Sequence, residues 1–115
     1  VITATAIAIS IASYHFDREV AHNEVNPGIF VELNHDVVVG VYRNSHWRNT
    51  VLVARQWSFG QVGAVKVGAM AGLCTGYDTP VCGGLTVGVG NLALIVIPPV
   101  GSTSGVVGLS WRQPL

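Results

Sequence analysis

Charge is scarce in this sequence. Its 115 residues hold six Lys and Arg against six Asp and Glu, for a formal net charge of zero. A neutral, charge-poor chain has no electrostatic footprint for phosphate backbones, which argues against nucleic acid as a partner. Sulfur is scarce too, at two Cys and one Met. No CxxC or HxxxH pair occurs, so no zinc site is implied, nor any other metal or cofactor. No continuous stretch of eighteen apolar, helix-forming residues occurs, which argues against a transmembrane helix. Internal repeats and low-complexity segments are missing, and the length suits a single domain over 1–115.

What is present is apolar and rich in glycine. Half the residues are hydrophobic, the mean hydropathy is +0.49, and Gly occurs 14 times. Disorder does not fit such a composition. That glycine content is about twice the average usage, and each Gly costs about 1 kcal/mol in a helix interior. Val, Ile, Thr and aromatic residues suit a pleated surface instead. The expected class is therefore all-β. The start at Val1, without Met or a basic segment, reads as a processed or trimmed chain, and residues 1–12 can be read as the remnant of a signal sequence. The alternation of Ile7, Ile9 and Ile11 with Ala8, Ser10 and Ala12 favours a strand there.

Alternation and turn residues place about eight strands, at roughly 2–15, 28–34, 37–43, 50–57, 63–75, 82–89, 91–97 and 105–112. Short connections (34–36, 58–62, 90–91) alternate with longer, more polar ones. In an up-and-down meander this gathers the long loops at one end and the tight turns at the other, as in bacterial outer-membrane barrels. The expectation is an antiparallel up-and-down β-barrel of about eight strands. Strands of about eight residues at a 45° tilt span only about 19 Å, against an apolar band of about 25 Å, which keeps a soluble barrel open.

The hairpin around Asp78 suggests a register. If Cys74 faces Cys82, then Gly72 pairs with Gly84, Met70 with Thr86 and Gly68 with Gly88. One face is then small and mixed, and the other carries Val67, Ala69, Ala71, Leu73, Leu85, Val87 and Val89. Lys66 lies on the small face. A lysine in lipid costs about 2–4 kcal/mol at the midplane, so the small face is expected inside. Gly68, Met70, Gly72, Gly84, Thr86 and Gly88 become the expected lining for a bound lipid or acyl chain. Glu32, Arg55, Lys66 and Arg112 are expected to meet inside as a paired polar network, with ordinary exposed residues near strand ends as the alternative. Directly opposed cysteines are close enough for a Cys74–Cys82 disulfide, with two buried thiols as the alternative. Trp47, Trp57, Trp111, Tyr14, Tyr42 and Tyr77 fall near strand ends, as interface girdles do.

The long-loop end gathers the acid–base groups: His15, His22 and His46 with Asp17, Arg18, Glu19, Glu24, Asn44, Ser45, Arg48 and Asp78. A histidine near a hydroxyl can activate it. His15 and Ser45 can meet there, with Asn44 or Asp17 orienting the ring.

Five segments carry a family likeness. These are Tyr14-His15-Phe16-Asp17-Arg18-Glu19, His22-Asn23-Glu24-Val25-Asn26-Pro27-Gly28, Tyr42-Arg43-Asn44-Ser45-His46-Trp47, Ile97-Pro98-Pro99 and Gly108-Leu109-Ser110-Trp111-Arg112. Together they resemble the PagP family of outer-membrane lipid A palmitoyltransferases over most of the chain. The resemblance implies a membrane-embedded barrel, an acyl-transfer activity and a catalytic set of His15, Asn44 and Ser45. The family has Asp where this chain has Asn44, so Asn44→Asp is expected to preserve or raise activity. A non-catalytic barrel or sandwich with a ligand-binding, structural or assembly role is the alternative. It can be soluble, secreted or virion-associated, of bacterial or phage origin, and oligomeric.

Overall fold

The computed structural model describes residues 2–15, 24–44, 47–76, 80–97 and 105–115. Its eight strands are β1 (Ala4–His15), β2 (Val25–Leu33), β3 (Val37–Arg43), β4 (Asn49–Val62), β5 (Val65–Cys74), β6 (Val81–Val89), β7 (Leu92–Ile97) and β8 (Val106–Pro114). Each pairs antiparallel with its neighbours in sequence, and β8 closes on β1. No helix occurs among the described residues. The all-β up-and-down barrel read from alternation is the fold.

Two strands are longer than the alternation suggests. β4 runs through 58–62, so its turn to β5 is the pair Gly63-Ala64, with Gly63 at φ 59°. β2 begins at Val25 and includes Pro27. Proline is tolerated there because the β1–β2 register shifts between Ser10↔Gly28 and Ala12↔Val25, leaving Pro27 outside the ladder. Six strands now have nine to fourteen residues. About ten residues tilted at 45° span about 24 Å, so the shortfall against an apolar band largely closes.

The aliphatic residues point outward. Ile9, Ile29, Val39, Val41, Val51, Val53, Val67, Leu73, Leu85 and Leu92 are all exposed, drawn from seven of the eight strands. Tyr14 and Trp47 are exposed at the loop end, and Trp57 and Trp111 toward the tight-turn end. The buried apolar core is small: Ala6, Val38, Leu52, Ala54 and Cys74, with Phe30, Tyr42, Met70 and Cys82 packed against part of it. Close strand approach explains two interior glycines. A Cβ at Gly40 would meet the Phe30 ring at 2.3 Å, and one at Gly28 would meet Tyr42 Cβ at 2.3 Å. Each glycine faces the other strand's aromatic, since Phe30 pairs with Gly40 and Gly28 with Tyr42. The two rings fill the lumen together, with centroids 5.6 Å apart.

Four expectations need correction. The β5–β6 register is displaced by two residues: Gly72 pairs with Cys82, Met70 with Gly84 and Gly68 with Thr86. A shift of two keeps every side chain on its face, so the enclosed set stands while its partners change. Cys74 and Cys82 are therefore diagonal rather than opposed, and both are free thiols. Arg55 follows the outward alternation of Val51 and Val53 and is exposed, and Lys66 is exposed near the β4–β5 turn, so neither joins an interior network. Tyr42 packs inward against Phe30 and is not an interface residue. Tyr77 lies outside the described residues.

The remaining pair is well made. Arg112 Nη2 donates to Glu32 Oε1 at 2.9 Å and Arg112 Nε to Oε2 at 3.1 Å. This two-pronged bond ties β8 to β2 across the intervening β1. Thr5 Oγ1 donates to the Glu32 carbonyl at 3.2 Å, and Asn91 Nδ2 to the Arg112 carbonyl at 2.8 Å.

Glycine packing supplies a test. A Cβ at Gly72 would lie 2.2 Å from the Val53 carbonyl and 2.4 Å from Ala54 Cα, whereas one at Gly88 meets nothing closer than 3.9 Å. Gly72→Ala should cost about 1–3 kcal/mol by overpacking, and Gly88→Ala should be nearly neutral in urea unfolding of the folded barrel.

Candidate functional site

The loop-end rim owes its geometry to an irregularity in β1. In the first half of the strand, Ala6 and Ser10 face the lumen. Between Ser10 and Ala12 the register shifts against both neighbours. Ala12 then pairs with Leu109, Ser13 with Gly108 and His15 with Val106. The shift reverses the alternation, so odd-numbered Ser13 and His15 turn inward. His15 is only 5 % exposed. Strict period-two alternation from Ser10 would have sent it outward.

Glu24 is the carboxylate that meets His15. Its Oε2 accepts from the His15 backbone N–H at 2.9 Å and lies 3.5 Å from His15 Nδ1. Beside them Asn26 binds three strands together. Its Oδ1 accepts from Ser13 Oγ at 2.5 Å, its carbonyl accepts from Ser10 Oγ at 2.5 Å, and its Nδ2 donates to the Arg43 carbonyl at 3.0 Å. Asn26 thus stands between β1, which carries His15, and β3, which leads to Asn44.

Asn44 has no exposed surface. Its Nδ2 donates to Thr50 Oγ1 and to the Gly76 carbonyl, both at 2.9 Å, and its Oδ1 accepts from the Arg48 N–H at 3.1 Å. Thr50 Oγ1 donates onward to the Thr75 carbonyl at 2.8 Å. These bonds fasten the β3–β4 connection to the end of β5. Gly76, at φ 81°, allows the close approach, because a Cβ there would fall 2.7 Å from Asn44 Nδ2.

His15 and Asn44 therefore lie on one rim, while Ser45, His22, His46, Asp17, Arg18, Glu19 and Asp78 lie outside the described residues. Glu24 and Asn26 fall in a loop if the second strand begins at Gly28, whereas β2 begins at Val25. The alternation of Val25, Pro27 and Ile29 with Asn26, Gly28 and Phe30 was the available signal. Gly68, Met70, Gly72, Gly84, Thr86 and Gly88 share the enclosed face. At Gly68, Gly72 and Gly84 a Cβ would come within 2.5 Å of a neighbouring strand's backbone, so close strand contact accounts for their small size. Outside the barrel a cleft of about 540 Å³ opens beside the rim, bounded by Pro27, Val41, Tyr42, Arg43 and Val51 among others.

Neither a protein-family model nor a curated protein sequence matches the chain.

The bonds of Asn44 set an expected outcome. Asn44→Asp replaces two donated bonds with a carboxylate facing the Gly76 carbonyl. It should destabilise the folded barrel by about 2 kcal/mol, the scale for leaving buried polar partners unmatched. Urea titration of both proteins measures it, and any activity should fall rather than rise.

Proposed function

We propose that this chain is a membrane-spanning β-barrel of the outer-membrane type that handles a lipid acyl chain at its loop-end rim. The observation that carries the proposal is the outward aliphatic wall around a small, polar-stapled interior. A soluble barrel would place that wall inside. Strand lengths near those needed for a bilayer and exposed aromatics toward both ends support the same reading.

At the rim, buried His15 beside the part-exposed Glu24 carboxylate supports acid–base chemistry. In the proposed reaction the His15 imidazole takes the proton of an acceptor hydroxyl as that oxygen attacks a lipid ester carbonyl. The ester C–O bond then breaks, and the leaving alkoxide receives the proton. Glu24 accepts from the His15 backbone N–H and lies 3.5 Å from the ring Nδ1, a negative charge beside the imidazolium formed in the step. The cleft beside Val41 and Val51 is apolar on that side, with Arg43, Asn49 and Thr50 also on its lining, which suits an acyl chain with a polar head.

A second reading has an observation in its favour. The Asn44 amide is spent on loop bonds, which suits a binding or structural barrel without catalysis.

Membrane character is tested by electrophoresis in mild detergent. The native barrel should migrate differently before and after heating, and equal migration together with solubility free of detergent would refute it. Catalysis is tested by His15→Ala in a lipid acyl-transfer assay. The variant should keep the unheated mobility of the parent and lose at least about a hundredfold in rate, the lower scale of general-base catalysis. Equal rates in parent and variant would leave the binding reading in place.

A further inference from the structure

The hairpin of β4 and β5 carries a strand edge with no neighbouring strand. β3 pairs with β4 only as far as Val37↔Arg55, and just past that pair the Gln56 N–H donates to the Asp36 carbonyl at 2.8 Å. β3 ends there, while β4 continues to Val62 with β5 on its other side. Backbone groups alternate in direction along a strand, so Ser58, two residues after Gln56, turns its N–H and C=O to the open side. Residues 57–64 are all exposed, Phe59 and Val62 among them, and a Cβ added at Gly60 meets nothing within 4 Å. Sheets commonly guard such edges with charge or proline. The run Ser58-Phe59-Gly60-Gln61-Val62 carries neither, and the register shift against β5 puts a glycine at its bend.

Two cations flank this edge. Arg55 precedes it on β4, and Lys66 on β5 pairs with Gln61 near its far end. Among the described residues the ion pairs are His15–Glu24, His35–Glu32 and Arg112–Glu32, so neither Arg55 nor Lys66 has a carboxylate partner there. We infer that the β4 edge from Ser58 to Val62 is a docking site for an extended peptide segment of a partner protein. The segment adds as a strand antiparallel to β4. It carries a carboxylate near each end, to meet Arg55 and Lys66, and apolar side chains between them, to meet Phe59 and Val62. Main-chain bonds give strand addition its affinity, and side chains give it its choice of partner. A second copy of this chain is a poorer occupant. Antiparallel self-pairing brings Arg55 of each copy toward Lys66 of the other, so like charges meet at both ends. The inference does not depend on the membrane or acyl-transfer proposals.

The test is hydrogen exchange at the Ser58 amide, followed by NMR on the folded barrel in a non-ionic detergent. The probe is a short synthetic peptide of alternating valine and threonine, flanked by glutamate. One control peptide has lysine in place of glutamate, and the other has N-methyl groups that block main-chain bonding. The glutamate peptide should slow Ser58 exchange by at least about tenfold, and neither control should. Arg55→Glu combined with Lys66→Glu should reverse the preference toward the lysine peptide, with unheated gel mobility confirming that the variant is folded. Three results would each overturn the inference. These are exchange unchanged at millimolar glutamate peptide, equal protection by the glutamate and lysine peptides, or a Ser58 amide already protected in the free barrel in proportion to protein concentration, which would make a second copy the occupant.

Discussion

The outward direction of the aliphatic side chains is the constraint on which this barrel rests. Ile29, Val41, Val53 and Leu85 are exposed, while among the described residues the buried apolar set is Ala6, Val38, Leu52, Ala54 and Cys74. Burial stabilises by about 25 cal/mol per Å² of apolar surface, so so small a core does little against the entropy of ordering the chain. A lipid bilayer, as proposed above, would give that wall apolar surroundings. A closed ring of strands leaves no hydrogen-bonding edge within such surroundings, which is why the sheet must close.

The interior then has to satisfy its own polar groups. It does so at two levels. Near the tight turns, Glu32 and Arg112 bind each other across β1, with Thr5 and Asn91 holding their backbones. At the loop end, Asn26 links β1, β2 and β3, and Asn44 links the β3–β4 connection to β5. Between these levels Phe30 and Tyr42 fill the lumen, each opposite a glycine. His15 is thus held on a rim whose position is fixed from several strands, which is what a reacting group requires.

Alternation made the strands and their faces legible, because a two-residue period survives errors in strand ends. The enclosed set from Gly68 to Gly88 was assigned to its face even though the Cys74–Cys82 register was displaced by two. Loop length set that displacement, and six residues between β5 and β6 do not reveal which of them continue the ladder. The inference from Lys66 reached the right face by an imperfect route, since Lys66 itself emerges into the open near the turn. Charge pairing points Arg55 inward, but the outward pattern of Val51 and Val53 carries it to the surface. The shift in β1 left no mark in the sequence. It decides that His15 faces inward, and with the early start of β2 it decides that Glu24 is its carboxylate. The His15–Glu24 contact depended on two local irregularities, while the barrel followed from a pattern repeated in every strand.

The central claim, that the aliphatic wall lies in hydrocarbon, is tested most directly by tryptophan fluorescence in bilayers. Trp47, Trp57 and Trp111 are all exposed on the barrel's outer surface. After reconstitution into phospholipids brominated along their acyl chains, their emission should be strongly quenched, while a water-soluble quencher such as iodide should have little effect on Trp57 and Trp111. Emission insensitive to the brominated chains and quenched by iodide at all three would place the wall in water and contradict the membrane-spanning barrel.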